Sequence, residues 1–255
     1  MKLLILGSSA GLASKHRASS CYLLDLGDHG ILLDIGDGAT RNFLAAGYQP
    51  DWVSHIVITH THADHVCGLG YFVQQRYLSG TKTPLTIHCP GEAVGPIKAI
   101  LNFGYMFKDK LPFRIEYKPH VESWPFLAGG VRITPFATSH LVAMRAFAEE
   151  KGFPNRGECF ALRVEVGEKV IAYSGDMGSL NDLDSIPTPI DWLLIETSHV
   201  ALDKLWPWAD ERAIKRIILT HIADTFDPAS AATGKNQTSA EILIAADDLS
   251  LDLAS

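Results

Sequence analysis

The segment Thr59-His60-Thr61-His62-Ala63-Asp64-His65 places three histidines and an aspartate within six positions, directly after the apolar run Ile56-Val57-Ile58. Side chains two apart on extended backbone point the same way, so His60 and His62 share a direction. Asp64 and His65 follow at the turn into the next element and point to a neighbouring place. One short segment therefore offers ligands to two adjacent metal ions. Imidazole with carboxylate suits Zn2+ best, with Mn2+, Fe and Ni2+ as competitors. The bland alternative is a polar turn that happens to be rich in histidine. Four potential ligands at a strand end argue against it. Of the eleven histidines, His16, His29, His55, His88 and His120 sit in no such pattern and receive no functional reading.

A cluster of this kind needs a scaffold that fixes it. The 255 residues carry 22 Lys plus Arg against 29 Asp plus Glu, a formal charge of −7. That balance excludes a protein that coats polyanions generally, while leaving a local basic cleft open. A hydrophobic fraction of 47% is ordinary for a globular chain. A chain this long can bury a large core without disulfides. Cys21, Cys67, Cys89 and Cys159 are scattered, as expected for reduced thiols in a cytoplasmic protein. Cys67 and Cys159 read as small buried residues and not as ligands. Residues 1–7 read as a first strand and not as a secretory signal. No run approaches the roughly 18–20 apolar residues that span a bilayer, so no membrane partner is expected.

Short apolar runs at 3–6, 22–26, 31–34, 56–59 and 85–88 read as strands, and 39–46, 69–77 and 93–103 have helical spacing. Strands resume at 131–138, 159–166, 170–174, 192–196 and 217–220. Residues 242–246 and 249–253 look like a closing pair of strands. Hairpin turns are expected at Asp28-His29-Gly30 and Gly167-Glu168-Lys169. The polar stretches 140–158 and 224–238 read as loops. Hairpins mixed with helices do not suit a doubly wound parallel sheet. Two packed sheets with helices outside suit this order better. With no linker in sight, one domain over residues 1–255 is expected.

His60-x-His62-x-Asp64-His65 resembles the H-x-H-x-D-H signature of the metallo-β-lactamase fold. The resemblance implies an α/β chain with an αβ/βα four-layer sandwich, two mixed β-sheets flanked by helices. It also implies further site residues, each after an apolar run: His140 in Thr138-Ser139-His140, Asp176 in Ser174-Gly175-Asp176, and His221 in Leu219-Thr220-His221. One ion would take His60, His62 and His140. The other would take Asp64, His65 and His221, with Asp176 reaching both. Asp34 matches the family aspartate that supports the ligand histidines. Two divalent cations in such a site share a hydroxide nucleophile and stabilise developing charge, so no serine or cysteine nucleophile is needed.

Leu6-Gly7-Ser8-Ser9-Ala10-Gly11, Tyr77-Leu78-Ser79-Gly80 and Leu193-Leu194-Ile195-Glu196-Thr197 are similar to ribonuclease Z, the tRNA 3′-end endonuclease. This implies phosphodiester chemistry. The chain also departs from that pattern. Only 36 positions separate His140 from Asp176, which leaves room for a short lid and none for a tRNA-gripping arm. Ile195 stands where the H-E-A-T motif has histidine, and His199 is the candidate replacement acid. Catalysis is therefore assigned to Asp64, Asp176 and His199, with Ser8, Ser9, Lys15 and Arg17 as candidate substrate contacts. The expected substrate is a small nucleotide or other small phosphodiester, and tRNA is not expected. Alternatives are a carboxyl-ester, lactone or thioester hydrolase, a tRNA 3′-processing endoribonuclease, and a non-catalytic metal-binding scaffold. A homodimer is the family-based expectation. Trp206-Pro207-Trp208 reads equally as an exposed lid, a dimer contact or core.

Overall fold

The computed structural model describes residues 1–232 and 237–253. Within it the chain packs as two compact units, Met1–His120 with the C-terminal segment from Asp247, and Val121–Ala246.

In the first unit the strands are β1 (Lys2–Gly7), β2 (Cys21–Asp25), β3 (Gly30–Leu33), β4 (Val53–Val57), β5 (Leu85–Cys89) and β6 (Ile115–Pro119). The helices are α1 (Ala39–Ala45), α2 (Ala63–Val66), α3 (Gly68–Leu78) and α4 (Val94–Phe103). β1, β2 and β3 are antiparallel, and the pairing is parallel from β3 through β4 and β5 to β6. Leu69, Phe72, Val73 and Arg76 form the buried stripe of α3, at the spacing that puts one helix face on a sheet. Leu69, Phe72 and Val73 join Leu4, Leu23, Leu32, Ile56 and Ile87 in one core. Burying each such side chain stabilises by about 1.5–3 kcal/mol.

The second unit has β7 (Phe126–Ala128), β8 (Val131–Ala137), α5 (Val142–Lys151), β9 (Phe160–Val166), β10 (Lys169–Tyr173), β11 (Trp192–Glu196), α6 (Leu202–Glu211), β12 (Arg216–Thr220), α7 (Pro228–Ala232) and β13 (Glu241–Ile244). β7 to β10 run antiparallel, and β10 to β13 run parallel. Leu205, Trp206 and Ala209 of α6 pack with Leu193, Ile195, Ile217 and Leu219. Finally β14 (Ser250–Asp252) pairs antiparallel with β1. Two seven-stranded mixed sheets, each flanked by helices, give the αβ/βα sandwich expected from the resemblance.

Both expected hairpins form, with Gly27 and Gly167 in the left-handed conformation. Other expectations need correction. The two last strands do not pair with each other: β13 borders β12, and β14 borders β1. The stretch 140–158 contains a helix, α5, which buries only Ala148 and so leaves little apolar periodicity to read. Of the three readings open for Trp206, the core one holds: it is fully buried in α6, a helix that Pro207 concealed. Residues 233–236 of the polar stretch 224–238 lie outside the described residues. No described helix is long and apolar enough to cross a membrane.

The returning C-terminus also locks the loop after β1. Asp247 accepts hydrogen bonds from the Ser8 hydroxyl (2.8 Å), the Ala18 amide (2.7 Å) and the Asn42 side chain (3.0 Å). Replacing it leaves buried donors without an acceptor, at about 1–3 kcal/mol each. Asp247→Ala should lower the urea unfolding midpoint by an amount corresponding to about 2–4 kcal/mol, whereas Asp248→Ala should not.

Candidate metal centre

In both units the polar residues stand where parallel strands end, the place where open α/β sheets gather ligands. Asp34 follows β3, and His60 comes three residues after β4. In the second unit Asp176 follows β10, Glu196 ends β11 and His221 follows β12. Asp34 and His221 both have positive φ, 55° and 54°, a conformation that costs a non-glycine residue and persists only when its surroundings hold it.

Asp34 is fully buried and its partners are specific. Oδ1 accepts the Thr59 amide at 2.7 Å. Oδ2 accepts the Thr59 hydroxyl at 2.8 Å and His65 Nδ1–H at 2.7 Å. The same Thr59 hydroxyl lies 3.1 Å from His60 Nδ1, so it takes that proton while giving its own to Asp34. Both imidazoles therefore carry hydrogen on Nδ1 and offer Nε2 as ligand atoms. Gly36 and Gly68 allow the approach of backbone that this arrangement requires. A Cβ at Gly36 would stand 2.2 Å from the Asp64 carbonyl oxygen, and one at Gly68 2.2 Å from the Gly36 oxygen.

In the second unit Asp176 is the pivot. Its Oδ2 lies 3.5 Å from His140 Nε2 and its Oδ1 lies 3.5 Å from His221 Nε2. These distances exceed good hydrogen bonds. They match the separation of two ligands on one tetrahedral ion with bonds of about 2.0–2.1 Å, roughly 3.4 Å. The Thr138 hydroxyl (2.8 Å) and the Cys159 thiol (3.4 Å) both donate to the Asp176 carbonyl oxygen and hold its backbone. His221 Nδ1 lies 3.1 Å from the Ser198 hydroxyl. Asp182 accepts the amides of Ser139 and Gly178, at 2.9 Å each, which fixes the loop that carries His140.

Two groups of donor atoms result. Those of His60, His62, His140 and Asp176 all lie within 4.8 Å of one another, as do those of Asp64, His65, Asp176 and His221. Asp176 belongs to both groups. The donor set, imidazole nitrogen with carboxylate oxygen, fits two divalent cations.

His199 was expected near this centre. Its ring lies 4.8 Å from that of His140 in edge-to-face geometry, and its Nδ1 donates to Glu196 Oε1 at 2.9 Å. That hydrogen bond raises its pKa above the ordinary histidine value, against the opposing effect of burial. Glu196 is buried and also accepts the amides of Ser198 (2.6 Å) and His199 (2.8 Å). Sequence reading passed over Glu196 as a site residue; its signal was an acid at a strand end three positions before a histidine. Ile195, beside it, points to the opposite strand face and lies in the core, so that position cannot deliver an acid.

The candidate substrate contacts are less uniform. Ser8 is buried, bonded to Asp247, and accepts Arg17 Nη1 at 2.7 Å. Ser9 is buried with its hydroxyl on the Leu12 carbonyl at 3.2 Å, and Lys15 is exposed. Their loop borders the centre, since a Cβ on Gly11 would lie 3.7 Å from Asp64 Oδ2. Cys159 is buried as expected, but Cys67 is exposed, because the small helix α2 turns it outward at the start of α3. Neither cysteine joins a donor group. His88 is held down to about 3, chiefly by burial, and stays neutral outside the centre.

The family model described as anti-Pycsar protein Apyc1 matches residues 1–241. The chain belongs to the Apyc1 family. This Apyc1-family chain is also a metallo-β-lactamase-fold hydrolase related to ribonuclease Z. It is 32% identical to Ribonuclease Z of Methanococcus aeolicus, over 89% of this chain and 86% of that one. A second match, 36% identical to Ribonuclease Z of Methanococcus maripaludis, covers 41% of this chain and only 34% of that one. In fold it is similar to the metallo-β-lactamase fold protein YhfI from Bacillus subtilis, with TM-score 0.78, 20% identity and coverage of 98% and 99%. Human tRNase Z, short form, superposes with TM-score 0.74 at 18% identity, covering 99% of each chain.

Metal analysis after reconstitution should give two ions per chain, falling in His221→Ala. Asp34→Ala removes no ligand, yet should weaken metal retention by about 10–100-fold against a chelator, because His60 and His65 lose their orientation. Unchanged retention would show that Asp34 does not act through the ligands.

Proposed function

We propose that this chain is a metal-dependent phosphodiesterase acting on small nucleotides or other small phosphodiesters. The observation that carries the reading is the His199–Glu196 pair beside His140, 4.8 Å between rings and 2.9 Å from ring nitrogen to carboxylate. Phosphodiester cleavage expels an alkoxide that needs a proton. His199 Nε2 is the atom that gives it, while Glu196 orients the ring and keeps it protonated to higher pH. Two divalent ions, with Zn2+ the first expectation, would be held by His60, His62, Asp64, His65, His140, Asp176 and His221. They would supply charge that polarises a phosphoryl oxygen and acidifies water. Asp64 and Asp176 are the carboxylates of this catalytic set. Lys15 and Arg17 bind the substrate phosphate. Ser8 and Ser9 shape their loop, each hydroxyl being already engaged within the chain.

Relatedness to ribonuclease Z supports phosphodiester over carboxyl-ester, lactone or thioester chemistry. Small substrates are favoured over tRNA for two reasons. The described interval between His140 and Asp176 holds one ten-residue helix and a hairpin, which offers a large RNA little to grip. The net charge of −7 gives no general attraction for a polyanion.

The test uses a panel of zinc-loaded enzyme against bis(p-nitrophenyl) phosphate, cyclic nucleotides, lactones, thioesters and precursor tRNA. Cyclic nucleotides should be cleaved and precursor tRNA should not be trimmed at its 3′ end. His199→Ala should slow the nucleotide substrate by about 10²–10⁴-fold and leave the nitrophenyl ester within a few-fold, since nitrophenolate leaves without a proton. Faster turnover of lactones or thioesters would overturn the phosphodiester reading. Equal losses with both leaving groups would remove His199 from proton transfer.

A further inference from the structure

We propose that the first unit carries a second binding site, remote in composition from the metal ligands, for a small anion with an aromatic body. Three elements build it. On α4, Lys98 and Asn102 stand one turn apart and Leu101 lies beside them. On β6, Ile115 and Tyr117 alternate onto one face. The connection between them adds Met106, Lys108, Leu111 and Phe113. Together they enclose about 310 Å³, a volume within the range of small-molecule sites.

The walls are fixed. Leu101, Met106 and Phe113 are buried. The Arg76 guanidinium stacks 4.9 Å from the Phe113 ring centroid. Arg76 is itself anchored on the Val53 and Thr83 carbonyls at 2.8 and 2.6 Å. Phe113 and Tyr117 thus present ring surface to a cavity sized for one or two fused rings.

The charges at the mouth select the ligand's sign. Lys98 and Lys108 line both this cavity and the shallower recess beside it, together with Arg114, Glu116 and Lys118. Glu116 engages Arg114 at 3.0 Å and Lys118 at 3.6 Å, so the one carboxylate of the recess is taken. Among the described residues Lys98 makes a cation–π contact with Tyr117 at 4.9 Å and no ion pair, and Lys108 makes no ion pair. Two ammonium groups without a counter-charge, in a chain of net charge −7, flank an apolar well. An acidic group at the mouth with a flat apolar body below it satisfies both halves of that surface.

Titration of the full zinc-loaded chain with 1-anilinonaphthalene-8-sulfonate tests this. The wild type should bind one equivalent saturably. The Lys98→Gln/Lys108→Gln double variant should bind about tenfold or more weakly, from two lost charge-assisted contacts. Asn102→Trp, which fills the mouth without touching the core, should abolish the saturable phase. Naphthalene-1-sulfonate should displace the probe at least about tenfold better than the uncharged naphthalene-1-sulfonamide. Hydrolysis of bis(p-nitrophenyl) phosphate should be unchanged in the double variant, which reports an intact fold. An unchanged dissociation constant in the double variant, or equal displacement by the uncharged analogue, would overturn the proposal.

Discussion

One buried carboxylate organises the first half of the metal centre. Asp34 takes a backbone amide, a hydroxyl and an imidazole proton at once, and through Thr59 it fixes a second imidazole. A free imidazole can present either nitrogen, so four ligands in six positions would otherwise be an ill-defined set. Placing this carboxylate requires an unfavourable backbone conformation at residue 34 and glycine at 36 and 68. The strain and the loss of side chains are tolerable because the parallel strands β3 and β4 beneath are fully buried at their carboxyl ends.

The second unit solves the same problem with different groups. Asp176 has its backbone held by a hydroxyl and a thiol, while Asp182 ties the His140 loop to the segment at Gly178. Adding a Cβ at Gly178 would place it 2.2 Å from the Ser139 hydroxyl. Glu196 likewise anchors a turn through two amides before it touches His199. In the second unit Asp182 and Glu196 spend most of their hydrogen bonds on backbone. Precision in such a site comes from fixing the chain on which the ligands ride.

Charge is distributed with similar economy. The chain is acidic as a whole, yet Lys98, Lys108, Arg114 and Lys118 converge on one recess. Net charge therefore argues against long polyanions without arguing against small anions, because a small ligand samples only the local field.

Much of the centre was legible because its ligands follow apolar runs in fixed order. His60, His62, Asp64 and His65 fall within six positions, and Asp176 and His221 come three residues after β10 and one residue after β12. The alternation of buried strands and helical stripes likewise carried the two-sheet architecture. Other features were not legible, some because they depend on residues distant in sequence and some because the local pattern is weak. That Asp247 secures the loop after β1 follows from a strand pairing across more than 200 positions, Lys2 with Asp252. The exposed helix α5 has too small a buried face to leave a periodic signal, and Pro207 masked α6. Glu196 looked like an ordinary strand end until folding brought His199 onto it and His140 against His199. Residue type and local order thus determined which groups could bind metal. Which proton sits on which nitrogen, and which carboxylate serves backbone rather than ion, was decided by tertiary contacts, since hydrogen-bond partners are a property of position in space.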